Sequence, residues 1–476
     1  MAETTYDVIV LGAGAVGENV ADRAGRTGLG VAIVDNELVG GECSYWACMP
    51  SKALLRPGAV LAAARSVDGA AQAVAGELDR QAVLARRDTF AHGWDDSSQV
   101  DWLEETGITL VRGRARFDGP RRVLLDDGDG IRTLVARYAV VIATGSAPTI
   151  PEIPGLADLD PWTSRDATSV QDIPRSLVII GGGVVAAEMA TAFADLGAQV
   201  TMLVRGERLL DGTEPFAGES VARGLQTLGV DVRLRTSAAR ASRTVDGIRL
   251  HLGSGGHVDG ERVLVATGRH PRTRDLGLET LGLDAEGALA VDDAGRVETV
   301  GGGWLYAAGD VTGRTATTHQ GKYDARVTGD VIAQSFGGQS ERVEGAEAWS
   351  PFRATADHVA VPQVVFTRPE VASVGLTEAA AAASGIRTRT VQVALGSVAG
   401  ASVSADGYEG TAMIVVDLER EVVVGATFVG PEVAELLHAA TIAVVGEVPL
   451  RRLWHAVPAY PTVSEVWLRL LEAYGL

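Results

Sequence analysis

Cysteine is almost absent from this chain: Cys43 and Cys48 are the only two in 476 residues. That excludes a disulfide-stapled secreted scaffold, and a close pair with no other thiol reads instead as redox chemistry in a reducing compartment. A structural zinc site is disfavoured too, because four ligands are usual and no second Cys/His cluster stands elsewhere. Lysine is as scarce, with Lys52 and Lys322 alone among 42 basic residues. We read that as an arginine bias, but it leaves each lysine to be accounted for. Positive charge is short overall, 42 basic against 61 acidic residues for a net charge of −19. An acidic surface repels phosphate backbones and anionic lipids, so neither nucleic acid nor a membrane surface is an expected partner. No uninterrupted apolar run approaches the roughly 20 residues that span a bilayer. The acidic N-terminus, Met-Ala-Glu-Thr-Thr-Tyr-Asp, is unlike a signal peptide. A cytoplasmic location is expected.

What is present is glycine in a repeated setting. The apolar run Tyr6-Asp-Val-Ile-Val-Leu-Gly12 reads as a buried parallel strand, and Gly12-Ala-Gly14-Ala-Val-Gly17 follows, then a helical stretch and a strand ending in Asp35. The plan recurs 181 − 12 = 169 residues later, with Leu177–Ile180, Gly181-Gly-Gly183-Val-Val-Ala186, a helix, and the strand Gln199–Val204. Each copy closes on an apolar strand and the same tripeptide, Ala143-Thr144-Gly145 in the first and Ala266-Thr267-Gly268 in the second. The chain is an internal duplication of a nucleotide-binding unit. Residues 57–104 are Ala- and Arg-rich with helical periodicity, and 336–352 reads as a linker. After residue 355 the runs 362–366, 411–416 and 422–428 predict an antiparallel sheet with helices beside it. At roughly 150 residues per domain the length suggests about three domains.

A lone Gly-x-Gly-x-x-Gly is a weak signal, but here each copy lies between a strand and a helix. The first glycine permits the tight turn, the second admits a pyrophosphate, and the third lets helix and strand approach, while the helix N-terminus offers N–H groups to phosphate. Asp35 stands 35 − 12 = 23 residues beyond Gly12, where a carboxylate binds ribose hydroxyls. In the second copy no acid ends the strand; Arg205 and Arg208 follow instead, and Ala186 replaces the third glycine. Missing carboxylate and nearby guanidinium groups favour NADPH over NADH.

The cysteines lie in Gly40-Gly41-Glu42-Cys43-Ser-Tyr-Trp-Ala-Cys48-Met-Pro50-Ser-Lys52. Five residues of regular helix rise roughly 7.5 Å, more than the Cα separation of about 4.4–6.8 Å that a disulfide accepts. The pair can close only if the backbone between them breaks. The simplest arrangement puts Cys43 in a loop and begins a helix near Cys48, with Pro50 in its first turn. A thiol at that N-terminus would have a lowered pKa. Two buried core cysteines are the plainer alternative.

Together these motifs resemble the flavoprotein disulfide reductases with two dinucleotide folds, among them dihydrolipoamide dehydrogenase, glutathione reductase, mycothione reductase and mercuric reductase. The resemblance rests on the first fingerprint, on Gly-Gly-x-Cys-x4-Cys-x-Pro-Ser-Lys, on the two Ala-Thr-Gly closures and on Ala308-Gly309-Asp310. It extends through Phe366-Thr-Arg-Pro-Glu-Val-Ala-Ser-Val-Gly375 and Pro461-Thr-Val-Ser-Glu465, so it covers essentially the whole chain. It implies an α/β protein with two Rossmann-like domains and a C-terminal α+β dimerisation domain. The expected bounds are 1–150 and 272–345 for the FAD domain, 151–271 for the NAD(P) domain and 346–476 for the interface domain. By resemblance, FAD lies on Gly12, Gly14, Gly17, Gly41, Thr144 and Gly145, with Asp35 at the adenosine ribose and Asp310 at the ribityl–phosphate region. The nicotinamide nucleotide, NADPH or else NADH, lies on Gly181, Gly183, Ala186, Arg205, Arg208 and Gly268. Cys43 is the implied interchange thiol, Cys48 the charge-transfer thiolate, and Lys52 pairs with Glu188. Family members are homodimers whose C-terminal domain completes the partner's active site.

The C-terminal motif departs from the family. His-Pro-Thr-x-Ser-Glu is usual there, the histidine serving as acid/base and the glutamate orienting it; here Tyr460 takes the histidine position while Glu465 is kept. A phenol with a pKa near about 10 is a poor proton shuttle at neutral pH, unlike an imidazole near roughly 6.5. His455, five residues upstream, reads more readily as an ordinary histidine than as a substitute. The expected activity is transfer of electrons from NAD(P)H through flavin and the cysteine pair to a small disulfide or other oxidised sulfur acceptor. The alternatives are a quinone, dye or metal-ion reductase of the same fold and, less favoured, a dihydrolipoamide dehydrogenase.

Overall fold

The β-branched runs that alternate with Gly-led helices form parallel strands buried on both faces, as such runs must when helices cover each side. In the computed structural model, which describes residues 3–338 and 341–476, the chain divides into two units. The first comprises 1–50, 88–148 and 269–357, and the second 51–87, 149–268 and 358–476. The expected linker over 336–352 lies partly outside the described residues; within them, Glu341–Glu344 is a short helix.

In the first unit the strands run in the order Thr109–Arg112, Val31–Asp35, Glu3–Leu11, Ile131–Ile142, Arg122–Asp126, Arg114–Phe117, with Leu305–Ala307 also beside Ile131–Ile142. Glu3–Leu11 is parallel to both of its neighbours, with Val8 opposite Val31 and Val10 opposite both Ile33 and Val141. Val8, Ile9 and Val10 are wholly buried. The antiparallel pair Arg114–Phe117 and Arg122–Asp126 was not read from the sequence, although Asp118-Gly119 between its two short runs is a turn signal. Helices Ala15–Gly25 and Thr318–Phe336 share one side of the sheet, and Val20, Ala21, Ala24, Ala325, Val331 and Ile332 meet in their common core.

The second unit repeats the dinucleotide plan with a parallel sheet ordered Asp231–Arg233, Gln199–Leu203, Ser176–Ile180, Arg262–Val265. An antiparallel sheet over 238–260 joins it. The C-terminal part is a five-stranded antiparallel sheet ordered Pro362–Val365, Glu370–Gly375, Val422–Gly430, Thr411–Asp417, Thr388–Ala394. The three apolar runs read from the sequence are strands here, and Glu370–Gly375 and Thr388–Ala394 are additional. The Ala- and Arg-rich stretch is helical, over Cys48–Arg65, Arg80–Phe90 and Ser97–Glu105.

One arginine of that stretch is structural. Arg87 is fully buried, and its guanidinium donates to the carbonyls of Thr168 and Val170, which end the helix Ser164–Ser169. Buried carbonyls that lose a charged donor cost the desolvation of each group. Arg87→Met is therefore expected to cost about 3 kcal/mol of stability and to lower the melting temperature by several degrees, read by calorimetry. An unchanged melting temperature would refute the assignment.

Candidate flavin and dithiol site

The first fingerprint closes through backbone contacts that only glycine permits. Gly12 has φ +105°, and a Cβ there would stand 2.4 Å from the Ala143 carbonyl oxygen; a Cβ on Gly17 would stand 1.9 Å from the Gly12 oxygen. A Cβ on Gly14 would meet only the Gly41 Cα at 4.0 Å, so the ground above the second glycine is open. Helix Ala15–Gly25 starts there with no side-chain cap, leaving N–H donors for an anion. Asp35 accepts from the Ala13 N–H at 2.6 Å with Oδ2 and from the Glu37 N–H at 2.8 Å with Oδ1. It therefore shapes the turn, and each oxygen keeps a second lone pair for a ligand.

The other residues of the first cradle converge on it. Thr144 donates to the Arg272 carbonyl at 2.7 Å, and the Gly145 carbonyl accepts from the Arg272 N–H at 3.0 Å. Asp310 Oδ2 accepts from the Ser146 hydroxyl at 2.5 Å, and Arg269 donates to the same hydroxyl at 2.7 Å. Several buried polar atoms here have no protein partner: Glu18 Oε1 and the hydroxyls of Thr315 and Thr317. Burial pushes the Glu18 carboxyl up to about 7, against the lowering pull of Lys322. An uncapped helix end, an open second glycine and unspent hydroxyls suit a dinucleotide with a polyhydroxylated chain, so the residues present fit FAD.

Cys48 opens the helix Cys48–Arg65, as expected. Cys43 corrects the expectation: it lies not in a loop but in the short helix Gly41–Tyr45, which Gly40 at φ +107° introduces. The backbone break between the thiols falls at Trp46, whose φ −136° and ψ −4° leave the helical region. That break brings the thiols together. Cys48 Sγ lies 3.1 Å from Thr318 Oγ1 at the start of helix Thr318–Phe336. The Cys43 thiol is pushed well above its ordinary value, first by its hydrogen bond with Cys48 and then by burial, while Thr318 and Lys322 pull it down. Thr318 was missed in the sequence; the signal was Thr317-Thr318 ahead of a helical pattern. Tyr45 is wholly buried, edge-on to Trp46, and fills the core.

In the second unit Lys52 Nζ donates to Glu188 Oε2 at 2.7 Å, and Glu188 Oε1 accepts from the Phe366 N–H at 3.0 Å. Glu188 is buried, and Lys52 also lies over the Phe366 ring, 5.0 Å from its centre. Gly181 has φ +142°, and a Cβ there would stand 2.2 Å from the Ala266 oxygen, whereas nothing would meet a Cβ on Gly183 or Gly268. Ala186 is fully buried, so here the helix Val184–Asp195 stands off far enough for a methyl group. The strand before the arginines ends at Leu203, two residues ahead of Arg205. Arg205 is exposed, and Arg208 donates to the Asp211 carbonyl at 3.2 Å.

The C-terminal motif is arranged differently from a proton relay. Tyr460 is 77% exposed, His455 is exposed, and Glu465 is buried with its Oε1 accepting from Arg469 at 2.6 Å. Among the described residues no group of three or more His, Cys, Asp or Glu side chains is placed to hold a metal ion. No helix there is long and apolar enough to cross a membrane.

Two dinucleotide folds with a dithiol at the first define a flavin-dependent, nicotinamide-linked oxidoreductase. The chain belongs to the pyridine nucleotide-disulphide oxidoreductase family: residues 6–325 match that family's model, and 361–470 match the model of its dimerisation domain. It is thus an FAD-binding, NAD(P)H-dependent enzyme, and the dimerisation domain supports a homodimer. Among its relatives is a mercuric reductase of Streptomyces lividans, 34% identical over 98% of this chain and 95% of that protein. A dihydrolipoyl dehydrogenase of Halobacterium salinarum is 32% identical over 98% and 96%. The HOCl-induced flavoprotein disulfide reductase RclA of Escherichia coli superposes with a TM-score of 0.82 at 23% identity, covering 98% of this chain and 99% of that one, and shows the shared fold. LpdA of Mycobacterium tuberculosis gives 0.81 at 25% identity over 99% and 100%.

Because the hydrogen bond to Cys48 is the first cause that raises Cys43, Cys48→Ala is expected to lower the Cys43 pKa. Iodoacetamide labelling of Cys43 at pH 7.5 should then run roughly tenfold or more faster than in the reduced wild type, since the thiolate is the reacting species. Labelling no faster than wild type would show that burial, not Cys48, holds the proton.

Proposed function

We propose that Cys43 and Cys48 carry electrons from NAD(P)H to a soft metal ion taken as substrate, with disulfides and other oxidised sulfur species as the second reading. FAD, when bound, supplies the two-electron carrier between the nicotinamide and the thiol pair. Cys43 then presents its sulfur to the acceptor while Cys48, beside Thr318, takes the inner place. One Hg(II) reduced by two electrons to Hg(0), or two Cu(II) each reduced by one to Cu(I), leaves the cysteines as a disulfide, and no leaving thiolate has to be protonated. The observation that carries this choice is Glu465. It is engaged by Arg469, and a tyrosine, Tyr460, stands where the family has histidine, so the motif offers no imidazole–carboxylate pair for thiol exchange. Relatives named mercuric reductase, and a fold neighbour studied as a Cu(II) complex, favour the same acceptor class.

Lys52 and Glu188 are read as the pair that holds the nicotinamide-side pocket, and Arg205 as the contact to a 2′-phosphate, which makes NADPH the preferred donor. We keep the division at 150, 271 and 345, an active site completed by the second subunit, and a cytoplasmic location as parts of the same reading.

The test is NADPH oxidation by the purified enzyme with Hg(II) or Cu(II), set against lipoamide and small aromatic disulfides. Metal-dependent turnover that Cys43→Ser abolishes and Tyr460→Phe largely keeps is the expected result. Disulfide turnover exceeding metal turnover would hand the assignment to the second reading, and quinone turnover indifferent to Cys43→Ser would refute both. Arg205→Ala should raise KM for NADPH about tenfold, the loss of one charge-assisted hydrogen bond, and leave KM for NADH unchanged. Equal effects on both would remove Arg205 from the phosphate site.

A further inference from the structure

Two carboxylates with no part in the electron path lie behind the flavin-binding turn. Asp324, on helix Thr318–Phe336, and Asp357, in the turn Thr355–His358, are both buried; the Asp357 side chain is only 2% exposed. They lie within hydrogen-bonding reach of one another. Asp324 Oδ1 and Asp357 Oδ2 are buried oxygens without a hydrogen-bond donor. Two ionised carboxylates cannot satisfy each other, because neither has a hydrogen to give. The remaining oxygens are accounted for: Gln320 donates to Asp357 Oδ1 at 2.5 Å, and Asp324 accepts the N–H of Gly309. Gly309 precedes Asp310 in the chain, and Asp310 is held in turn by Ser146.

We propose that Asp324 and Asp357 share a single proton, Asp324 Oδ1–H donating to Asp357 Oδ2, and that this bond positions Gly309 and Asp310 for the flavin. Asp324 is a positioning residue; it acts through the Gly309 N–H. The proposal rests on FAD occupying the first fingerprint and is independent of the acceptor.

The charged surroundings favour a shared proton over two charges. Arg314 Nη1 lies 3.5 Å from Asp357 Oδ2 and answers one negative charge, not two. The other charged neighbours are spoken for or turned away: Arg353 faces Asp293, which lines the same cavity, at 3.7 Å, Tyr323 donates to the Arg353 carbonyl at 3.2 Å, and His358, next to Asp357 in the chain, is exposed. The cavity beside Asp324, lined also by Thr312 and Thr328, measures about 10 Å³, room for roughly one water and not for the hydration shell of an anion. Burial first, then the charge of Asp357, pushes the Asp324 carboxyl up to about 8, with Arg314 and the Gly309 N–H pulling it down.

The sign follows from linkage. Asp324 is neutral in the folded protein at pH 7 and ionised in the unfolded chain, so the proton's stabilising effect is complete below the unfolded value near 4 and is lost as pH rises through about 8. If only the protonated pair holds the turn, flavin affinity weakens about tenfold between pH 7 and pH 9.

The experiment measures FAD released from diluted holoenzyme, read as recovered flavin fluorescence, across pH 6–9.5. Wild type should lose affinity about tenfold between pH 7 and 9. Asp324→Asn, whose amide donates to Asp357 without needing a proton, should retain FAD and change less than threefold. Glu18 titrates near the same pH, so the variant rather than the wild-type slope decides. A wild type flat across the range, or an Asp324→Asn protein with the wild-type slope, overturns the proposal. Should Asp324→Asn not fold, Asp357→Asn carries the test, because its amide donates to an ionised Asp324 and moves the step below pH 7; a step left near pH 8 refutes it. Infrared difference spectra of wild type provide a reading that needs no variant. A carboxylic-acid carbonyl band lost between pH 7 and 9 is expected, and its absence at pH 7 is disproof.

Discussion

The contact between the Gly17 Cα and the Gly12 carbonyl is the constraint on which the flavin-binding unit depends. A single methyl group at either glycine would lie within 2.4 Å of a backbone oxygen, and backbone cannot move aside as a side-chain end can. Because both are glycine, the strand Glu3–Leu11, the helix Ala15–Gly25 and the closing strand Ile131–Ile142 meet at one point. Their meeting leaves the helix N-terminus facing open ground above Gly14. The phosphate cradle is a consequence of that close packing.

The same economy of side chain seats the second helix. A Cβ on Gly321 would lie 2.7 Å from Val16, and one on Gly329 would lie 2.4 Å from Arg23 Cβ, so Thr318–Phe336 packs directly on Ala15–Gly25. Its first residue thereby reaches Cys48 and its second turn reaches Gly309. One helix thus touches the redox pair at one end and, through a buried carboxyl, the turn that carries Asp310. Through Thr318 and Asp324 a single helix thus contacts both Cys48 and Gly309.

The C-terminal motif places a familiar glutamate in different company. Glu465 is kept, but the charge beside it belongs to Arg469, one helical turn on. A guanidinium stays protonated throughout the physiological range and cannot shuttle a proton. The glutamate is thus tied to the helix Val466–Tyr474, and the residue at the head of the motif, Tyr460, carries no imidazole.

Much of this was legible in the chain itself. The two fingerprints, the Ala-Thr-Gly closures and the cysteine spacing are local patterns whose chemistry follows from a few consecutive residues, and they specified the duplicated α/β plan, the cofactor class and a broken helix between the thiols. Three things were not legible. Cys43 sits in a short helix because Gly40 adopts a left-handed conformation, which glycine permits but does not announce. Thr318 lies 270 residues from Cys48, and Asp324 and Asp357 lie on separate elements that Gln320 ties together through its bond to Asp357. Sequence alone determined the duplicated dinucleotide plan and the close pair of thiols, since those depend on backbone freedom and side-chain type. Only the tertiary structure brought Thr318 to Cys48 and buried Asp324 close to Asp357, because both depend on packing and on partners from distant parts of the chain.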